Sequence, residues 1–305
     1  MNNTELELLK IIADMEGTPD GAYNIRANSG LADRRVTENI DIKTKTDKSG
    51  IDIIIKPNTK GEKVHIPVII SQTGLKELVY NDFYIGDNAD VEIVAGCGIH
   101  NCGDDESRHD GVHTFFVGKN AKVVYTEKHI GIADGEGESN MNPTTVINIA
   151  EGGYMEMETT QLSGVDSTDR KTSATLGDNA TLVIREKLMT SGNETAKTDF
   201  TVDLNGENSS ANVVSRSVAK GDSYQLFLSR INGNNICSGH TECDAIIMDS
   251  GKVSAVPEIT ANHIDASLIH EAAIGKIAGE QLIKLMTLGL SEQEAEEQIV
   301  NGFLK

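Results

Sequence analysis

The chain has 305 residues, with 27 Lys and Arg against 47 Asp and Glu, for a formal net charge of −20. That balance excludes a nucleic-acid binder, whose phosphate contacts need clustered Lys and Arg. The length allows one large domain or two ordinary ones around a sizeable core, and 29 Gly, no Trp and 4% aromatic residues suit many short strands and turns better than a helical bundle.

No run approaches the roughly 18 consecutive apolar residues of a membrane span. Glu5 and Glu7 among the first apolar residues are unlike a secretory signal. Four cysteines in so long a chain do not make a disulfide framework. The expectation is a soluble cytoplasmic protein with reduced thiols and with neither a membrane nor a nucleic acid as partner.

Residues 4–16 read as an amphipathic helix. Thr4-Glu5-Leu6-Glu7 fits a capping box, Leu6, Leu9, Ile12 and Met15 share one face, and Gly17 and Pro19 end the segment. Residues 20–50 are polar and Gly/Asn-rich and read as a loop-rich connection. Strand signals begin with Ile51-Asp52-Ile53-Ile54-Ile55 and Val64-His65-Ile66-Pro67-Val68-Ile69-Ile70, both dominated by β-branched residues.

A repeat follows. Ile85-Gly86-Asp87-Asn88-Ala89 returns as Val117-Gly118-Lys119-Asn120-Ala121 and Leu176-Gly177-Asp178-Asn179-Ala180, with weaker copies at Ile149-Ala150-Glu151-Gly152-Gly153 and Leu204-Asn205-Gly206-Glu207-Asn208. Gly and Asn are expected where a tight turn needs positive φ. A spacing of about 27 to 32 residues is typical of stacked β units. Periodicity alone leaves two architectures open, stacked parallel coils and a run of antiparallel hairpins. After Ala255 the pattern changes to two short helices. Ile277 to Leu288 carries Leu282, Leu285 and Met286 on one face, Gly289 is a C′ residue, and Ser291-Glu292-Gln293-Glu294 is a capping box opening a helix to Gly302.

Phosphate-loop, dinucleotide and Gly-x-Ser-x-Gly signatures are all absent, so ATP is not expected to bind this chain alone. Three groups could do chemistry. Cys97 and Cys102, followed by His109 and His113, have a Cys-x4-Cys spacing looser than paired zinc hooks and read as a Gly-rich turn between strands. Cys243 lies in a strand-like segment, with Glu242 and Asp244 on the opposite face. Thiolate is the donor that iron–sulfur clusters require, although a strand Cys is more often a small buried hydrophobe. His270 and Glu271 could complete a coordination sphere begun at Cys243; a histidine hydrogen-bonded at a strand end is the alternative.

These residues carry a resemblance. Thr241-Glu242-Cys243-Asp244, Val256-Pro257-Glu258-Ile259, His270-Glu271-Ala272, Gly279-Glu280-Gln281-Leu282 and Gly289-Leu290-Ser291-Glu292-Gln293-Glu294-Ala295, in this order, resemble the SufB/SufD family of iron–sulfur cluster assembly proteins. The stretches Gly96-Cys97-Gly98-Ile99-His100-Asn101 and His109-Asp110-Gly111-Val112-His113-Thr114-Phe115-Phe116 look like the shorter SufB-like members. The resemblance covers most of the chain from about Ile51 onward.

The resemblance implies a mainly β chain, a right-handed parallel β-helix over residues 51–267, with a helix and loops over 1–50 and a helical segment over 268–305 that docks a SufC-type ATPase. It implies a non-enzymatic scaffold subunit that takes sulfur from a sulfur donor protein and carries a transient iron–sulfur cluster. By position, Cys243 matches the thiol of SufB that accepts sulfur and anchors the cluster, Glu271 the SufB carboxylate, and His270 the interface histidine of SufD. The chain departs from the larger SufB proteins in lacking their Cys-bearing N-terminal extension. It combines SufB-like Cys and Glu with the SufD-position His, which points to a homodimer. The other readings are a β-helical carbohydrate-active enzyme, poorly served by so few aromatics, and a metal-free structural solenoid.

Overall fold

The repeated turn decides between coils and hairpins. The computed structural model describes residues 3–305 except Asp14, Glu16 and Thr18, with the backbone alone at Ala133. Asn88, Asn120, Asn179 and Asn208 have φ of 55°, 53°, 54° and 57°, in the left-handed region that Asn tolerates better than most residues. The alanines that follow the first three point inward and are buried. The glycine of the unit has a different cause from the positive φ expected of it. At Gly118 a Cβ would stand 2.7 Å from the carbonyl oxygen of Ile85, one turn back. Close stacking, rather than φ, demands glycine there.

Backbone bonds link each turn to the next, with Asn88 N–H donating to Lys119 O at 2.8 Å and Gly118 N–H to Ile85 O at 2.9 Å. Hairpins would instead bond within themselves. The result is a parallel β-solenoid of about eight turns.

Two facing sheets form its walls. The first runs β2 (Gly30–Arg35), β1 (Ala22–Ala27), β5 (Lys60–Ile70), β7 (Asp90–Asn101), β9 (Lys122–Ala133), β12 (Tyr154–Gln161), β14 (Thr181–Thr190), β16 (Ser209–Ala219), β18 (Cys237–Ile247) and β20 (Ala266–Gly275). The second runs β19 (Lys252–Ala261), β17 (Tyr224–Gly233), β15 (Thr195–Leu204), β13 (Ser167–Leu176), β10 (Ser139–Met141), β8 (Ser107–Val117), β6 (Lys76–Ile85), β4 (Gly50–Ile55) and β3 (Ile40–Thr44), with β11 (Thr144–Ile149) pairing β8 and β13. Alternate residues point into the lumen, which is why strands such as β12 and β15 show strict in–out burial. Inward Phe83 and Phe115 stack at 4.3 Å between ring centroids. Each such buried side chain contributes about 1.5–3 kcal/mol.

Residues 20–50, expected as loop, hold three strands. β1–β2 and β3–β4 are antiparallel hairpins that start the two sheets. α1 (Asn3–Ala13) lies on the outside of the first sheet. Its buried face is Leu8, Leu9, Ile12 and Ala13, whereas Leu6 is exposed, so the expected stripe was rotated. Thr4 sits within the first turn, so the capping box expected there does not mark the helix start. Gly96 makes room for the helix: a Cβ would lie 2.7 Å from Ile12 O.

At the other end α2 (Gly279–Thr287) buries no residue, and α3 (Glu292–Phe303) buries Ala295 and Val300. Val300, Phe303 and Leu304 pack on Val218, Met189 and Ile246 of the first sheet. The Ser291–Glu294 capping box forms as expected, and Gly289 takes φ +99°. No helix among the described residues is long and apolar enough to cross a membrane.

Candidate functional site

Register places the residues of the C-terminal stretch. Cys243 occupies an inward position of β18, and its ladder runs back through Ser215, Glu186, Thr159 and Glu127 to Ala95, and forward to Ala272 on β20. The thiol is 1% exposed. Burial pushes it up to about 12, helped by the charges of Glu186 and Asp244. It is a protonated thiol in this conformation.

His270 is mid-strand in β20, opposite Thr241, on the same inward side as Cys243. It is not at a strand end. Its Nδ1 is buried without a hydrogen-bond partner. Burial and then the neighbouring His240 lower its pKa, which favours the neutral imidazole that ligates metals.

Glu271 faces the other way. Opposite Glu242 in register, it projects from the outer face of the sheet, where His240, Glu242 and Glu271 offer three donors within 4.8 Å of one another. His240 Nδ1 lies 2.9 Å from Asn212 Oδ1, and its Nε2 3.4 Å from Glu271 Oε2. With Nδ1–H donating to Asn212, the second nitrogen offers a lone pair toward the carboxylates, or a proton when the ring is charged. Burial, followed by a hydrogen bond with Asp244 and its charge, raises the Glu242 pKa. Of the three residues expected to act together, two therefore share the inner face and the third lies outside, one strand position away. β20 is an edge of its sheet. The last coil leaves Val256, Ile259, Ile264, Ile269 and Ile274 exposed.

Further along the lumen the core turns polar. Arg170 Nη1 donates to Glu127 Oε2 at 2.8 Å, its Nε lies 3.7 Å from Glu186 Oε1, and its Nη2 lies 3.1 Å from His129 Nδ1. All three charged side chains are 3–4% exposed. Glu186 also accepts from Thr198 Oγ1 at 2.8 Å and Ser215 Oγ at 2.7 Å. Burial alone would raise Glu127, but His129, Arg170 and His113 outweigh it and hold the carboxyl well below its usual range.

The first Cys/His group is not a Gly-rich turn. Cys97 lies within β7, and His109 and His113 within β8, all three pointing inward and buried. Cys102 is exposed, with its Sγ 3.8 Å from His100 Nδ1. Glu127, His129, Arg170 and Glu186 were not singled out from sequence. Their signal was available in the alternation: Val123 and Tyr125 are inward, so 127 and 129 must be too.

Comparison with known proteins decides the family. Residues 78–303 match the model described as SUF system FeS cluster assembly, SufBD core domain. The chain belongs to the SufBD family. It is 31% identical over 249 residues to a SufBD family protein of Archaeoglobus fulgidus, covering 80% of this chain and 66% of that one. It is 27% identical over 312 residues to one of Methanocaldococcus jannaschii, covering 98% of both. A third, from Methanothermobacter thermautotrophicus, is 30% identical over 243 residues, 78% of this chain and 57% of that one. The matched SufBD core holds Cys243, His270 and Glu271 and the Glu127, Arg170 and Glu186 group of the lumen, whereas the buried Glu77, paired with Arg26, lies just before it. α1 and the two antiparallel hairpins precede it.

Proposed function

We propose that this SufBD chain is a scaffold subunit of an assembly complex, on which an iron–sulfur cluster is built with Cys243, His270 and Glu271 as the residues that meet iron and sulfur. The observation that carries the reading is register. Cys243 and His270 share the inner face of the last two rungs of the first sheet, beside a free edge, while Glu271 joins His240 and Glu242 just across that sheet. One thiol, imidazoles and carboxylates suit iron and sulfide as cargo.

The thiol must lose its proton to accept sulfur from a donor protein or to bind iron. Displacing β20, which covers Cys243 with Ala272, is the movement that would expose it. The exposed apolar residues of the last coil favour a second copy of the chain as the surface that completes the site, giving a homodimer joined through the β-solenoid. The tail narrows the partner surface for a SufC-type ATPase. α3 is docked on its own chain, whereas α2 leaves Ile283, Met286 and Leu288 exposed. ATP turnover in that partner would supply the work of opening, in the cytoplasm, where free thiols persist.

Anaerobic reconstitution with iron and sulfide tests the reading. The protein is expected to develop a sulfide-to-iron charge-transfer chromophore that Cys243→Ser and Glu271→Gln each weaken. An unchanged spectrum in Cys243→Ser rejects the thiol as a ligand, and a strict monomer in light scattering removes the paired site.

A further inference from the structure

Of the four cysteines only Cys102 is exposed. It sits at a corner of the solenoid beside β7, well removed from β18, and the assembly reading gives it no role.

The corner is built from two turns. Residues 102–106 follow β7, and residues 134–138 follow β9, its neighbour in the sheet. Asn101, fully buried, ties them together, its Nδ2 donating to the carbonyl oxygens of Asp105 and Gly137 at 2.9 Å each. Gly137 N–H donates to Gly103 O at 2.8 Å, and Asp134 N–H to Asn101 O at 3.0 Å. The turns approach so closely that a Cβ on Gly135 would lie 2.3 Å from Gly103 O. Cys102 and Asp134 therefore rest on a fixed support.

His100, at the end of β7, joins them. Its Nε2 lies 2.7 Å from Asp134 Oδ2, and its Nδ1 3.8 Å from Cys102 Sγ. With Nε2–H donating to the carboxylate, the lone pair on Nδ1 meets the thiol. The imidazole is 15% exposed, whereas Cys102 and Asp134 are open to solvent. A nucleophile, a base within reach of its proton and a carboxylate that orients the base are the parts of an activated thiol. The surroundings select the electrophile. Asp104, Asp105, Glu136 and Glu138 are exposed on the two turns, which hold no Lys or Arg. They repel an anionic reagent and draw a cationic one.

We propose that Cys102 is a nucleophilic modification site that exchanges with the sulfur–sulfur bond of small disulfides bearing ammonium groups. His100 Nδ1 takes the proton as Cys102 Sγ bonds to one sulfur of the reagent. The bond between the reagent's two sulfurs breaks, and the departing thiolate takes that proton from the imidazolium. Cys102 is oxidised to a mixed disulfide, and the departing half of the reagent is reduced to a free thiol. A second thiol reverses the exchange. The proposal is independent of cluster assembly at Cys243.

Cystamine is the probe, with neutral hydroxyethyl disulfide and anionic oxidised glutathione beside it. Peptide mass spectrometry follows the adduct at Cys102 at neutral pH, and a peptide of residues 99–106 supplies the unassisted rate. The folded chain is expected to react with cystamine about tenfold faster than the peptide or more, leaving Cys97, Cys237 and Cys243 unmodified. At low salt, cystamine is expected to outpace oxidised glutathione by about tenfold, with hydroxyethyl disulfide between them, and high salt narrows that gap. His100→Ala should lose the advantage over the peptide and regain part of it with added imidazole, which a merely structural role would not produce. Asp134→Asn should react more slowly than the parent. A folded chain no faster than the peptide overturns the proposal, as does a His100→Ala variant as fast as the parent. Oxidised glutathione matching cystamine overturns the cationic reagent. Should a variant fail to fold by circular dichroism, the comparisons on the parent chain decide.

Discussion

Arg170→Met tests whether the polar stretch of the lumen is energetically engaged. Removing the guanidinium leaves Glu127 and Glu186 buried with no cation between them, each about 4% exposed or less. Breaking a buried ion pair by deleting one partner costs about 3–5 kcal/mol, because the surviving charge stays desolvated. For a chain of 305 residues, an unfolding entropy of about 2.1 cal/mol/K per residue makes 4 kcal/mol about 6 °C in Tm. The pH dependence changes as well. In the parent, Glu127 has a depressed folded pKa, so its stabilisation is present above the unfolded carboxylate pKa and is lost as pH falls through the folded value. In Arg170→Met the folded pKa rises, and the deficit grows from pH 5 to pH 8. Thermal melts by far-UV circular dichroism at both pH values measure this. A triple variant, Arg170→Met with Glu127→Gln and Glu186→Gln, should recover most of the loss. A single variant melting within about 1 °C of the parent would refute the reasoning, as would a triple variant as unstable as the single.

Ile283→Glu with Leu288→Glu on α2 should abolish capture of a SufC-type ATPase in a pull-down while leaving the melt unchanged, because neither side chain is buried; retained capture moves the docking surface elsewhere. Cys243 should resist iodoacetamide at pH 8 while exposed Cys102 reacts, as peptide mass spectrometry can score. A thiol moved from 9 to about 12 has about a thousandfold less thiolate at that pH. The same shift stabilises the fold fully below about pH 9 and loses that contribution as pH rises toward 12. Gly98→Val should free α1 to limited proteolysis without melting the solenoid, since the nearest atoms its Cβ would meet, from 3.0 Å, all belong to Leu8 of the helix.

The turns were the most legible part of the chain. A left-handed Asn followed by an inward Ala writes the coil spacing into the sequence, and the β-branched runs around it give the strands. Residues 20–50 were not legible, because Gly30–Arg35 is almost wholly exposed and polar and owes its strand state to pairing with β1. The helix face of α1 was missed for a related reason: Leu6, Leu8, Leu9, Ile11 and Ile12 surround the helix, and only the position of Gly96 and Gly98 on β7 selects the side that docks. In the candidate site, alternation correctly put Cys243 opposite Glu242 and Asp244. It could not show that His270 falls beside the thiol while Glu271 falls beside His240, because that depends on which residues of β18 and β20 pair.

A buried, protonated Cys243 and a role in holding iron are compatible only if the last coil is a movable part. The gradient of burial along the solenoid supports this. Strands β11 to β15 and β17 alternate between inward buried and outward more exposed residues, as β18 does up to Ala245, whereas β19 and β20 contain none that is fully buried. β20 is held on one side by β18 and is free on the other, so displacing it breaks one ladder and exposes little apolar surface that is not already wet. Elements of low burial are those that open at the smallest free-energy cost. The same displacement would free the His270 ring, shift Glu271 relative to His240 and Glu242, and let the Cys243 thiol ionise. A partner surface over the last coil, or force applied through α2, therefore acts on all three residues at once, and the lumen charges further in remain undisturbed.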